Sequence, residues 1–163
     1  MNEIADVIRT LKEGNHNQVV TLKPAVSESD ILSFEQRLNL RLPTELREFY
    51  RFSNGFETEE LLFRILPLEE ILEQKDEYEK DEFYIAEYLI YSDIWTLRVN
   101  KLTGQLSIYN SDHSSRHWMF LTNSFSEFIT RFLNYGLFEE HGLYDWVNEE
   151  KADSRVGKGE FHP

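Results

Sequence analysis

A chain of 163 residues, 40% of them apolar and 23 of them aromatic, is the size of one domain with material for one sizeable core. It contains no cysteine, which excludes disulfides, thiolate zinc sites and cysteine nucleophiles, and fits a reducing compartment. Thirty Asp and Glu against seventeen Lys and Arg give a net charge of −13, which opposes phosphate backbones and anionic lipid surfaces and favours encounter with basic partners.

The N-terminus, Met1-Asn2-Glu3-Ile4-Ala5-Asp6, has neither the basic nor the apolar region of a signal peptide. No apolar run approaches the ~20 residues that cross a bilayer, so the expectation is a cytoplasmic protein without a membrane partner. Ile4, Val7, Ile8 and Leu11 follow helical spacing, and Gly14 is placed to end that helix. A short extended piece at 19–22 precedes Pro24. Ser27 with Asp30 three positions on begins a second helix in the manner of a capping box, with Ile31, Phe34 and Leu38 on one face. Leu42-Pro43-Thr44 begins a third, with Leu46, Phe49 and Tyr50 as its stripe and Asn54-Gly55 as its stop. The pair has a helix–turn–helix outline, but Glu45 and Glu48 on the second helix argue against DNA reading.

From residue 61 the period changes. Leu61–Leu66 predicts a strand, Pro67–Leu72 a proline-led helical turn, and the charged run 73–82 either an exposed helix end or a loop. Strands follow at 85–92, 94–99, 105–110 and 117–122, with Lys101-Leu102-Thr103-Gly104 as a hairpin turn. Residues 124–134 form a further helix, with Phe125, Phe128, Ile129, Phe132 and Leu133 inward. Helices, then consecutive strands, then a helix is an α+β order with a mainly antiparallel, twisted sheet and helices packed on it. The expected division is one domain over 1–147 and a polar tail over 148–163.

The segment VSESDILSFEQRLNLRLPTELREFYRFSNGFE, residues 26–57, resembles the opening motif of the SUKH superfamily, to which the Smi/Knr-type cell-wall regulators belong. Ile31, Phe34, Glu35, Leu38, Leu42, Pro43, Leu46, Phe49, Tyr50, Asn54 and Gly55 stand at its positions, and a PLEE element (67–70) and an SFSEF helix start (124–128) follow in the same order. The resemblance covers roughly residues 25–135. It implies helices packed on an antiparallel sheet and a non-enzymatic binding domain without a cofactor. In bacteria it implies an immunity protein that blocks a toxin, often a nuclease. The alternative it implies is a regulatory or scaffold module binding cellular proteins. Its structural positions here are Phe34, Leu42, Pro43, Tyr50, Asn54 and Gly55.

Several constellations invite chemistry and fall short. Ser111-Asp112-His113 is contiguous, whereas a triad gathers its members from separate elements. His113 and His117 span a loop into a strand, not one helix face, so no metal site is expected. His16, His141 and His162 are scattered along the chain. With thirty acids, glycosidase-like carboxylate pairs arise by coincidence, and a phosphate-cradling glycine loop is missing.

Two features bear on partners. The stretch 57–82 holds eleven acids against Arg64, Lys75 and Lys80, and reads either as a solvated face or as a mimic of a nuclease substrate's charge. Trp118 belongs with the core. Trp95, beside Tyr91 and Asp93 at a strand start, reads as core or as part of an exposed aromatic pair. The candidate partner-binding set is therefore Glu77, Glu79, Asp81, Glu82, Tyr91, Asp93 and Trp95, facing a basic toxin domain.

Overall fold

The computed structural model describes residues 3–111 and 118–150. In chain order it places α1 (Ile4–Glu13), β1 (Val20–Leu22), α2 (Glu28–Leu38), α3 (Thr44–Phe52), β2 (Phe56–Thr58), β3 (Phe63–Ile65), α4 (Leu68–Glu73), β4 (Glu82–Tyr88), β5 (Asp93–Val99), β6 (Leu106–Ser111), β7 (Trp118–Thr122) and α5 (Phe125–Tyr135). Residues 143–150 form a further helix, α6. The seven strands pair antiparallel in chain order, an open meander with β1 and β7 at its edges. This is the α+β fold that the order of elements predicts.

Local chemistry sets most helix ends. The Ser27 hydroxyl accepts the Asp30 N–H at 3.2 Å, and the Ser124 hydroxyl accepts the Glu127 N–H at 3.1 Å, each satisfying a donor of the first turn. Gly14 (φ 67°) and Asn39 (φ 51°) close α1 and α2 in the left-handed conformation. The end of α3 differs from expectation. Its cap is Ser53, in extended conformation, whose hydroxyl accepts the Lys23 N–H at 3.0 Å and donates to the Gly55 carbonyl at 2.6 Å. Asn54 and Gly55 serve the next elements instead. Asn54 Oδ1 accepts the Leu68 N–H at 2.9 Å and its amide donates to Glu69 at 2.8 Å, so it caps α4 from outside. Gly55 enters β2 at φ 80°, where a Cβ would lie 2.2 Å from the Ile65 carbonyl oxygen.

The expected strand 61–66 is shorter and has a partner the sequence did not suggest. β2 and β3 form a hairpin closed by Thr58, whose hydroxyl accepts the Phe63 N–H and donates to its carbonyl at 2.9 and 2.7 Å. The charged run 73–82 begins as a helix end and is not wholly loop: Glu73 is the last residue of α4. The run contains one 3-10 turn at Lys75–Glu77, and β4 begins within it, at Glu82. Tyr78 secures that turn, donating to the Ile71 carbonyl at 2.6 Å and packing edge-on against Tyr84. α6 was not anticipated at all. It buries Leu143 and Trp146, and Arg131 of α5 stacks on the Trp146 ring at 4.3 Å. Residues 148–150 continue this helix, and 151–163 lie outside the described residues.

One face of the sheet carries the core. Phe56, Phe63 and Trp95 meet Phe128 and Phe132 of α5, the Phe63 and Phe132 rings 4.3 Å apart. Phe34 of α2 stands edge-on to Phe83 at 5.8 Å. Leu42 is buried beside the α2–α3 turn, and the Tyr50 hydroxyl donates to the Leu66 carbonyl at 2.7 Å, its phenol pushed up by burial. Among the described residues no helix is long and apolar enough to cross a membrane.

Candidate interaction surface

The eleven acids of 57–82 do not form one face. Glu57 pairs with Lys23 at 2.9 Å, Glu70 with Arg64 at 2.6 Å, Asp81 with Lys101 at 3.2 Å and Glu82 with Arg98 at 2.9 Å. Seven remain exposed: Glu59, Glu60, Glu69, Glu73, Asp76, Glu77 and Glu79. The first two occupy the β2–β3 turn, Glu69 and Glu73 lie on α4, and Asp76, Glu77 and Glu79 lie in the α4–β4 connection together with Lys75 and Lys80.

Of the predicted partner-binding residues, Glu77 and Glu79 are thus on the surface and the rest are not freely so. Glu82 is 4% exposed, because its carboxylate accepts from both the Glu79 N–H at 2.8 Å and Arg98. Asp81 is half-buried against Lys101. Tyr91 is half-buried too. Its hydroxyl donates to Glu70 and its N–H donates to Glu87 at 2.7 Å, and burial pushes its phenol up. These contacts belong to a network in which Arg64 clamps Glu70 with two hydrogen bonds and reaches the buried Glu87 at 2.7 Å. Burial works to raise the Glu70 carboxyl, but the Arg64 and Tyr91 hydrogen bonds outweigh it and hold it below the usual range. Asp93 accepts from the Asn110 amide at 3.2 Å, between neighbouring strands.

Trp95 requires a correction. It is 0% exposed and lies among Phe63, Phe128 and Tyr144, so it is core and cannot touch a partner. Trp118 requires the opposite one. Strand pairing puts Tyr109 opposite Phe120 and Ser111 opposite Trp118, and Arg98 lies one strand over on the same outer face. Trp118 is 37% exposed and Phe120 40%. Arg98 stacks its guanidinium on Trp118 at 4.5 Å and on Tyr109 at 5.2 Å. The run Trp118-Met119-Phe120-Leu121 is apolar on both faces, which is the pattern of a doubly buried strand. Its period of two separates Trp118 and Phe120 from Met119 and Leu121, but only the side on which the helices pack decides which pair meets water.

Arg98 ties this aromatic face to the acidic connection. Its Nε donates to Glu82 at 2.9 Å, and Glu82 in turn holds the Glu79 backbone. A Trp–Arg–Tyr–Phe cluster, exposed or half-exposed, is therefore linked through Arg98 and Glu82 to the end of the α4–β4 connection. Aromatics gathered about an arginine are the material of a protein-binding surface.

Other candidate chemistry fares differently. His141, read as isolated, has its imidazole beside Asp145 and Glu149, with their ligand atoms within 4.8 Å of one another. Arg131 already pairs with the second oxygen of Glu149 at 2.7 Å, so this cluster is explained as an ion-paired helix surface. Ser111 is buried at the end of β6, sharing a hydrogen bond with Thr96 at 3.1 Å. Asp112, His113 and His117 lie outside the described residues.

Comparison with protein families matches residues 25–131, from just before α2 into α5, to the SMI1 / KNR4 family (SUKH-1). A search of curated proteins finds no match. The match spans well over half of the chain and takes in the α2–α3 pair and every strand from β2 to β7, so the chain belongs to the SMI1 / KNR4 family (SUKH-1).

Proposed function

We propose that this chain is an immunity protein: a non-enzymatic binding domain that neutralises a basic, nuclease-type toxin by covering its active site. The supporting observation is the outer face of the sheet, where Trp118, Phe120, Tyr109 and Arg98 stand exposed or half-exposed and Arg98 is joined through Glu82 to the α4–β4 connection. Exposed aromatics next to an arginine have the composition of binding hot spots, and the carboxylates of that connection supply the charge that draws in a basic partner. Membership in the family supports a protein partner.

The two parts of the surface act on different rate constants. Rim charge governs encounter and is screened within about 8 Å at physiological salt, whereas a buried aromatic governs dissociation. The test takes the gene neighbourhood and uses any toxin-like domain that an adjacent gene encodes. Co-expression should restore growth, and Trp118→Ala should raise the off-rate about 30-fold, the equivalent of about 2 kcal/mol. Asp76→Asn with Glu77→Gln and Glu79→Gln should lower the on-rate and flatten its salt dependence. If no toxin domain binds and growth is not restored, the immunity reading fails, and the regulatory, scaffold-like role stands in its place. If binding occurs with both variants indistinguishable from wild type, the outer face is the wrong surface.

A further inference from the structure

The tip of the β5–β6 hairpin faces the α2–α3 connection across an open groove of about 980 Å³, which adjoins the α4–β4 connection at Asn39, Leu40 and Lys101. Its rims carry two exposed leucines, Leu32 on α2 (48% exposed) and Leu102 at the hairpin tip (96%). Leu102 is held there firmly. Asn100 Oδ1 accepts the N–H groups of Leu102 and Thr103 at 2.9 and 3.3 Å, and the Gly104 N–H closes the turn on the Asn100 carbonyl at 2.7 Å. Nothing in the hairpin's own structure calls for a leucine at that position.

The electrostatics of the groove run against those of the chain. Its charged lining is Arg41, Arg47 and Lys101 against one acid, Glu35, in a protein of net charge −13. Glu35 is fully engaged, accepting the Leu42 N–H at 2.7 Å and Arg47 at 2.6 and 3.2 Å. Arg41 is exposed and makes no ion pair among the described residues, and Lys101 reaches Asp81 only at 3.2 Å while remaining 40% exposed. The groove is therefore a cationic, leucine-rimmed recess in an acidic surface.

We propose that this groove is a second docking site, for an acidic, leucine-bearing segment of a partner protein. Leucine-type side chains of the segment lie between Leu32 and Leu102, and its carboxylates meet Arg41 and Lys101. The charge complementarity of Arg41 and Lys101 selects this occupant over a basic one. It does not depend on the identity of the toxin.

The probe is a fluorescein-labelled synthetic peptide of leucines and glutamates in amphipathic register, with a twin carrying lysine for every glutamate, read by fluorescence anisotropy. The acidic peptide should bind, more weakly as salt rises, and the lysine twin should not bind at this groove. Arg41→Glu combined with Leu102→Ser should weaken the acidic peptide at least about tenfold, and Trp118→Ala should leave it unchanged. Both altered positions are exposed, so the fold should persist, and circular dichroism melting verifies this. Absence of binding by the acidic peptide overturns the proposal, as does binding that survives the double substitution. Groove-dependent binding of the lysine twin, or self-association of the protein relieved by Leu102→Ser, overturns it equally by naming a different occupant.

Discussion

Between α2 and α3, Glu28 and Glu35 clamp Arg47 and Arg51 through ion pairs of 2.6 to 2.8 Å, so each acid finds its base within the same helix pair. In residues 57–82 the acids outnumber the bases, and the cations that hold four of them are Lys23, Arg64, Arg98 and Lys101, three of these supplied from outside the segment. The first region is a self-contained unit whose charges fasten two helices together. The second is divided by the sheet into carboxylates drawn into the outer face and carboxylates left in water. A formal charge count is thus a poor guide to surface charge wherever the compensating residues arrive by tertiary folding, and the surface available to a partner here is much less acidic than the segment's composition.

The comparison is tested hardest at the boundary between the regions. Gly55 joins α3 to β2 at positive φ, pressed against the β3 backbone, which has no side-chain freedom with which to yield. Gly55→Val should therefore cost about 3 kcal/mol or more, or prevent folding, because strain and a backbone clash add. Urea unfolding measures it, and a loss below about 1 kcal/mol would mean that the junction is not rigid.

Within the second region, Arg64 separates the drawn-in carboxylates from the free ones. Arg64→Leu leaves Glu87, 1% exposed at its side chain, without its cation, and should cost about 3 kcal/mol. A shift in the urea midpoint no greater than that of an ordinary surface substitution would show that the network is wet and that the division drawn between these carboxylates is false.

The smallest effect belongs to the first region. The Arg51 and Arg47 hydrogen bonds hold the Glu28 carboxyl at about 2, below its ordinary value. A depressed carboxylate contributes stability that is fully present above its unfolded pKa of about 4.3 and is lost as pH falls toward 2. Wild type should lose stability across that window more steeply than Glu28→Gln. The difference should be modest and should shrink with salt, since the group is exposed. Parallel pH profiles for the two proteins would mean that the clamp contributes nothing in solution.

Short-range features were legible from the chain. The helical stripes of α1, α2, α3 and α5, the capping serines Ser27 and Ser124, the glycine-ended β5–β6 turn and the α+β order all rest on spacings of three to four residues or of two, and the structure carries them. Elements with weak local signal were missed: β2 is three residues long and closed by Thr58, and α6 gains its burial from Leu143 and Trp146 packing against the rest of the fold.

The candidate surface was half legible. Glu77 and Glu79 stand exposed where composition placed charge, but the aromatic anchor passed from Trp95 to Trp118, although both sit in apolar strands. By itself the sequence determined which residues alternate along each strand and which lie on one helix stripe, since these follow from backbone geometry. Tertiary structure alone decided which side of the sheet the helices would cover. That choice sent Trp95 inward and Trp118 outward, and strand pairing set Arg98 opposite Glu82 and Arg64 opposite Glu87, because burial is a property of both faces of a sheet and no strand carries the information for the layer that covers it.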